Sequence, residues 1–229
     1  MKGEYKIMAD INKILGQLLG SGAAGSFAGG LAGGLASSML TGKKGRKLGK
    51  KAVKIGGIAA VGALAYGAYQ RYNSSKSQAV EASGRTAVTP LQVPPEGSSF
   101  LPAQSDSAAQ EELGLTLVRA MIAAARADGR LDAKESQAIF QRIESLPLDP
   151  GNRSLLIEEM GRPVDMDAIV TSAKTPEVAA EIYIASLMAI DVDTAAEQSY
   201  LGMLAARLKL PQELVKELHR QVEEQTMTE

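Results

Sequence analysis

The sequence predicts an all-α protein, and three observations support this fold class. Apolar residues recur at helical spacing through the C-terminal half, and helix-capping residues stand where these stretches begin. No segment shows the strict alternation of apolar and polar residues that is typical of β-strands. We therefore expect a helical body of about seven helices over residues 109–229, preceded by a Gly-rich region.

The first predicted element is a short amphipathic helix over residues 5–19, whose apolar side chains share one face. From Ile14 to Gly42 the chain carries no charge and has several pairs of glycines four residues apart. Such pairs are typical of helices that pack closely in membranes, but a flexible linker has the same composition. Whether residues 18–41 span a membrane is left open by the sequence.

A basic block follows at residues 43–54. Its seven cations are Lys43, Lys44, Arg46, Lys47, Lys50, Lys51 and Lys54. The block lacks the interleaved aromatic residues with which proteins stack on nucleic-acid bases, and it adjoins an apolar segment. We expect it to contact the headgroups of anionic lipids, and we expect no nucleic-acid partner.

The uncharged residues 55–69 suggest a transmembrane helix, which we predict over residues 52–70. Fifteen residues make a helix of about 22 Å, against a hydrocarbon core of about 30 Å. Lys51 and Lys54 could extend the span by snorkelling, and Tyr66, Tyr69 and Tyr72 could form an interfacial belt. A buried core helix is the alternative, and we favour the span because no nearby segment offers a cover.

These features predict a membrane anchor over residues 1–72. Residues 73–108 are rich in Ser and Pro and predict a disordered tether to the helical domain at 109–229. Cations near a span tend to stay in the cytoplasm. The prediction is therefore a single-pass protein of a bacterial inner membrane with its C-terminal domain in the periplasm. If the span were instead a hairpin that dips into the membrane and returns, that domain would lie in the cytoplasm.

Helix boundaries in the body follow from local chemistry. Capping boxes at Asp132–Glu135 and Thr194–Glu197 predict two helix starts. Further helices are predicted at about 109–127, 150–160, 165–173 and 211–224. Residues 178–190 are apolar nearly all round, which predicts a central, buried helix.

An acidic pattern occurs twice in the body. In each copy a helix ends in Asp, a second Asp lies in the turn, and a Glu lies in the first turn of the next helix. The four principal residues are Asp128, Glu135, Asp191 and Glu197, and the two turn residues are Asp132 and Asp193. They could be helix caps, ligands of a divalent cation such as Ca²⁺ or Mg²⁺, or an acidic face for a protein partner. The only His, His219, is expected on a solvated helix face.

Several motifs resemble a known family. The residues Ala127-Asp128-Gly129, Glu181-Ile182-Tyr183 and the stretch from Glu197 to Pro211 are similar to those of YebE-type bacterial inner-membrane proteins, whose C-terminal domain resembles the tellurite-resistance protein TerB. The resemblance implies a TerB-like helical fold with two related halves, a stress-response or envelope role, and the same four acidic residues as suspected metal ligands.

Two functions from different classes remain. The first is a membrane-anchored helical interaction module that docks a protein partner, with a divalent cation as a regulator. The second is a metal-assisted hydrolase that uses the paired acidic clusters. We favour the first and expect no enzyme, because the sequence has no Cys, one His, and acids that serve as caps.

Overall fold

A computed structural model describes residues 4–20, 57–77, 92–127, 148, 150–190, 192 and 194–227. These residues form eight helices: α1 (Glu4–Gly20), α2 (Gly57–Ser77), α3 (Ser107–Ala125), α4 (Pro150–Gly161), α5 (Met166–Ser172), α6 (Pro176–Met188), α7 (Ala195–Arg207) and α8 (Gln212–Met227). Within those ranges the only β-type pairing is an isolated bridge between Ser98 and Leu101. The all-α prediction is confirmed, and the bundle is consistent with a TerB-like domain. The helix predicted at Asp132 lies outside the described residues.

Helix α6 is the centre of the bundle. Every residue from Ala179 to Leu187 is buried, and α6 packs against α2, α3, α7 and α8. Its start is fixed by Thr175, whose hydroxyl accepts a hydrogen bond from Val178 N at 3.3 Å, and by Pro176 in the first turn. The prediction of a central helix from its all-round apolar composition is confirmed.

Helix α2 also lies in the core, where the sequence predicts a membrane span. Ile58, Val61 and Leu64 are at most 1% exposed, and α2 packs against α1, α6 and α8. No helix in the described part of the chain is both long and apolar enough to cross a bilayer. In the structure, segments that are distant in sequence cover residues 57–70, so the transmembrane helix predicted there finds no support.

Helix α1 provides part of that cover through close backbone packing. Asn12 Oδ1 accepts a hydrogen bond from Ile58 N at 3.3 Å. A Cβ atom at Gly57 would lie 2.2 Å from the Cβ of Leu15, so only glycine permits this approach. The start of α2 therefore packs against the second half of α1.

The boundaries around the predicted tether differ from the structure. Residues 73–77 continue α2, and residues 107 and 108 open α3. Phe100 is 8% exposed and lies edge-on to Tyr66 and Tyr69, with ring centroids 5.5 and 5.4 Å away. The three aromatic rings join the turn before α3 to α2, so residues on both sides of the predicted boundary at 109 share one core.

Candidate functional site

Most of the acidic and basic residues predicted to bind ligands fall outside the described chain. These are Asp128, Asp132, Glu135, Asp191 and Asp193, together with the basic block at residues 43–54. Glu197 is the one described member of the predicted metal set. Over the described ranges, no three His, Cys, Asp or Glu side chains are grouped as a metal ion requires. The convergence of the four principal acids stays a prediction.

Glu197 works as a helix cap. Its Oε2 atom accepts hydrogen bonds from Thr194 N at 3.0 Å and from the Thr194 hydroxyl at 2.8 Å. In return, Glu197 N donates to Thr194 Oγ1 at 3.2 Å. This reciprocal pair is the capping box predicted from the sequence.

Replacing Glu197 with alanine is expected to lower the free energy of unfolding by about 1 kcal/mol, the usual effect of losing a cap. Urea unfolding of the variant and the native chain measures the difference. Gln198→Ala, at the exposed neighbouring position, is the control and should change stability little. A loss that grows when Ca²⁺ or Mg²⁺ is added would contradict a role limited to capping.

A second buried acid, Glu159, is neutralised by arginines. Arg119 binds it with two hydrogen bonds, Nε to Oε2 at 2.6 Å and Nη2 to Oε1 at 2.9 Å. Arg162 adds a contact of 3.2 Å. The hydrogen bonds from Arg119 hold the pKa of Glu159 below its ordinary value. This ion pair joins α3 to α4 and leaves the carboxylate no free oxygen for a ligand.

His219 differs from its predicted solvated position. It is half-buried on α8, and its Nε2 atom is 2.8 Å from the hydroxyl of Tyr183 on α6. Burial lowers the pKa of His219 and raises that of Tyr183 to about 12. The pair is a polar contact within the α6–α8 interface.

Glu181 is a third buried acid, and no hydrogen-bond donor among the described residues compensates for its burial. It is 0% exposed at the middle of α6, and neither carboxylate oxygen has a hydrogen-bond partner among the described residues. Burial, and after it the charge of Glu177, raises the pKa of Glu181 well above its ordinary value. A buried carboxyl in this state holds its proton, since an unpaired buried charge is costly.

The surroundings of Glu181 are set by Gly62 on α2 and by the turn that carries Phe100. A Cβ atom at position 62 would lie 3.0 Å from Glu181 Oε1 and 2.4 Å from the carbonyl oxygen of Phe100. The two oxygens therefore approach the same point on the backbone of α2. Glycine at position 62 is what allows α2, α6 and the turn to meet there.

Glu181 is not among the site residues predicted from the sequence, although the sequence contains a signal for it. Glu181 is the only charged residue among residues 178–190, the stretch predicted to be buried all round. A single carboxyl in such a helix must either find a partner or keep its proton. The composition of this helix alone therefore marks Glu181 as unusual.

The chain belongs to a family described as protein of unknown function DUF533, whose model matches residues 13–222. A relative from Yersinia enterocolitica, described as an uncharacterised protein in the ampR 5′ region, is 29% identical over 108 residues. That match covers 47% of this chain and 78% of the relative. No solved structure matches the chain significantly.

Proposed function

We propose that this member of the DUF533 family is a non-catalytic helical interaction module that binds anionic membrane surfaces through residues 43–54. The observation that carries the proposal is the separation of charge along the chain. Residues 1–100 hold 13 of the 25 Lys and Arg residues but only 4 of the 26 Asp and Glu residues. The remaining residues are correspondingly acidic, so one end of the chain is suited to an anionic surface.

The basic block lies in sequence between two helices of the body, α1 and α2. The helices on either side of it, α1 and α2, are joined by the bond from Ile58 N to Asn12 Oδ1. Residues 43–54 therefore belong to a segment whose two flanking helices pack on each other in the body. Each cation near an anionic bilayer contributes about 1 kcal/mol, so seven together give substantial binding that weakens as salt rises. This attachment needs no inserted helix.

We expect the protein to sediment with vesicles that contain phosphatidylglycerol and not with vesicles of phosphatidylcholine alone. Replacing Lys43, Lys44 and Lys47 with glutamine should lower the affinity for these vesicles by about a hundredfold at low salt, because about 3 kcal/mol of attraction is removed. The control carries the same three changes at Lys174, Lys209 and Lys216 on the acidic body. If both triple variants bind as the native chain does, or if neutral vesicles bind equally well, the proposal fails.

The partner protein and the regulatory cation are separate proposals. The bound state would present the acidic helical body to a protein partner, in the inner-membrane and stress-response setting that the resemblance implies. Calorimetric titration with Ca²⁺ and Mg²⁺ tests the cation. A heat of binding that is seen in the native chain and is absent in Asp128→Asn would support the predicted cation site. The alternative function, a metal-assisted hydrolase, also requires this cation binding.

A further inference from the structure

The turn over residues 95–101, which we term the clasp, closes the α2–α6 interface above Glu181. Ser98 N donates to the carbonyl of Pro95 at 3.2 Å, and Leu101 N donates to that of Ser98 at 3.1 Å. Gly97 has a φ of +74°, in the left-handed region that favours glycine. This geometry directs Phe100 inward against the rings of α2.

Two acceptor oxygens meet where the clasp packs on α2, one from Phe100 in the clasp and one from Glu181 on α6. The Phe100 carbonyl and an ionised Glu181 carboxylate can only accept hydrogen bonds. Both approach Gly62, and over the described residues no donor reaches either oxygen of Glu181. A protonated carboxyl removes the buried negative charge and adds one O–H donor beside these acceptors.

We propose that the clasp is a proton-controlled closure: it covers Glu181 while the carboxyl is protonated, and it opens when the proton passes to solvent. Opening admits water, which donates the hydrogen bonds that the carboxylate lacks in the closed state. It also exposes the rings of Phe100, Tyr66 and Tyr69, so that an aromatic surface becomes available on the helical body. This device does not depend on lipid binding by residues 43–54.

The groups around Glu181 favour retention of its proton. On α6, Glu177 lies one turn earlier, and its negative charge disfavours a second one. On α2, Tyr69 is neutral at ordinary pH, and its pKa is raised by burial. Arg71, also on α2, binds Glu224 at 2.7 Å.

On the other helices packed on α6, the charged side chains contact groups other than Glu181. On α8, His219 binds Tyr183, which leaves α6 about 200° around the helix axis from Glu181. On α3, Arg119 binds Glu159, and on α7, Glu197 caps its own helix. In the described part of the chain, Glu177 is the one charge that acts appreciably on Glu181.

A single tryptophan can report the state of the clasp, because the chain has none of its own. In Phe100→Trp, emission should shift to the red and acrylamide quenching should increase as pH rises from 5 to 9, while the helical circular dichroism stays constant. Adding Glu181→Gln should leave emission and quenching independent of pH. Equal pH responses in the two proteins, or no response in the first, would overturn the proposal.

Hydrogen exchange in the unmodified chain tests the same closure without a larger ring at position 100. After correction for intrinsic rates, the amides of Ser98 and Leu101 should lose protection as pH rises, while those of α6 keep theirs. Gly62→Ala should leave the clasp open at every pH, because its Cβ would meet the Phe100 carbonyl at 2.4 Å. Gly202→Ala, on α7, is the control, since its Cβ would meet no other atom within 4 Å. Protection of Ser98 and Leu101 that is constant with pH would refute the closure.

Discussion

Replacing Leu64 with alanine is expected to lower the free energy of unfolding by about 2–5 kcal/mol, measured with urea in buffer that contains no lipid or detergent. Leu64 is 0% exposed on α2 and belongs to the core that α2 shares with α1 and α6. The substitution removes buried methyl groups and leaves a cavity, and closely packed helices relax only partly around it.

Leu115→Ala is the matched control, since it removes the same atoms from a position on α3 that is only half-buried. Its effect should be clearly smaller. Equal urea midpoints for Leu64→Ala and the native chain would mean that α2 does not belong to the folded core in solution. The comparison therefore distinguishes a core helix from a membrane helix at residues 57–70.

The position of α2 could not be predicted from its own residues. Its uncharged composition fits a buried core helix as well as a lipid-facing one, and periodicity does not separate the two. The deciding contacts come from Asn12 and Leu15 on α1 and from α8, whose residues lie far away along the chain. Only the tertiary structure brings those segments together.

Elements defined by local chemistry were predictable. The Thr194–Glu197 capping box stands where the sequence predicts it, because it depends on residues within one turn. The half-buried position of His219 could not be predicted in this way. Its role depends on Tyr183, which is 36 residues away and reaches it only when α6 packs on α8.

The environment of Glu181 depends partly on the local sequence and partly on tertiary contacts. Its burial follows from the composition of α6, which the sequence predicts. Among the described residues it has no hydrogen-bond partner, and its surroundings include Gly62 and the carbonyl of Phe100, which come from two other segments. Natural proteins rarely keep an unpaired buried carboxyl without a use for it, since the uncompensated group lowers stability.

Glu181→Gln is expected to stabilise the protein by an amount that grows with pH. The pKa of Glu181 is raised above 4.5 in the folded state by burial, so the folded state binds more protons than the unfolded state once pH exceeds about 4.5. Native stability then falls as pH rises, by about 1.4 kcal/mol per pH unit, until the folded pKa is reached. Glutamine stays neutral and avoids this loss.

Urea unfolding at pH 4.5, 6, 7 and 8 measures the difference between Glu181→Gln and the native chain. The two should be nearly equal at pH 4.5 and should separate steadily above it. Glu213→Gln, which changes an exposed carboxyl on α8, is the control and should show no such separation. A difference that stays constant across this range would mean that Glu181 ionises with a nearly ordinary pKa. A difference that stops growing marks the pH at which the folded protein itself releases the proton, and the tryptophan at position 100 should report opening of the clasp at that same pH.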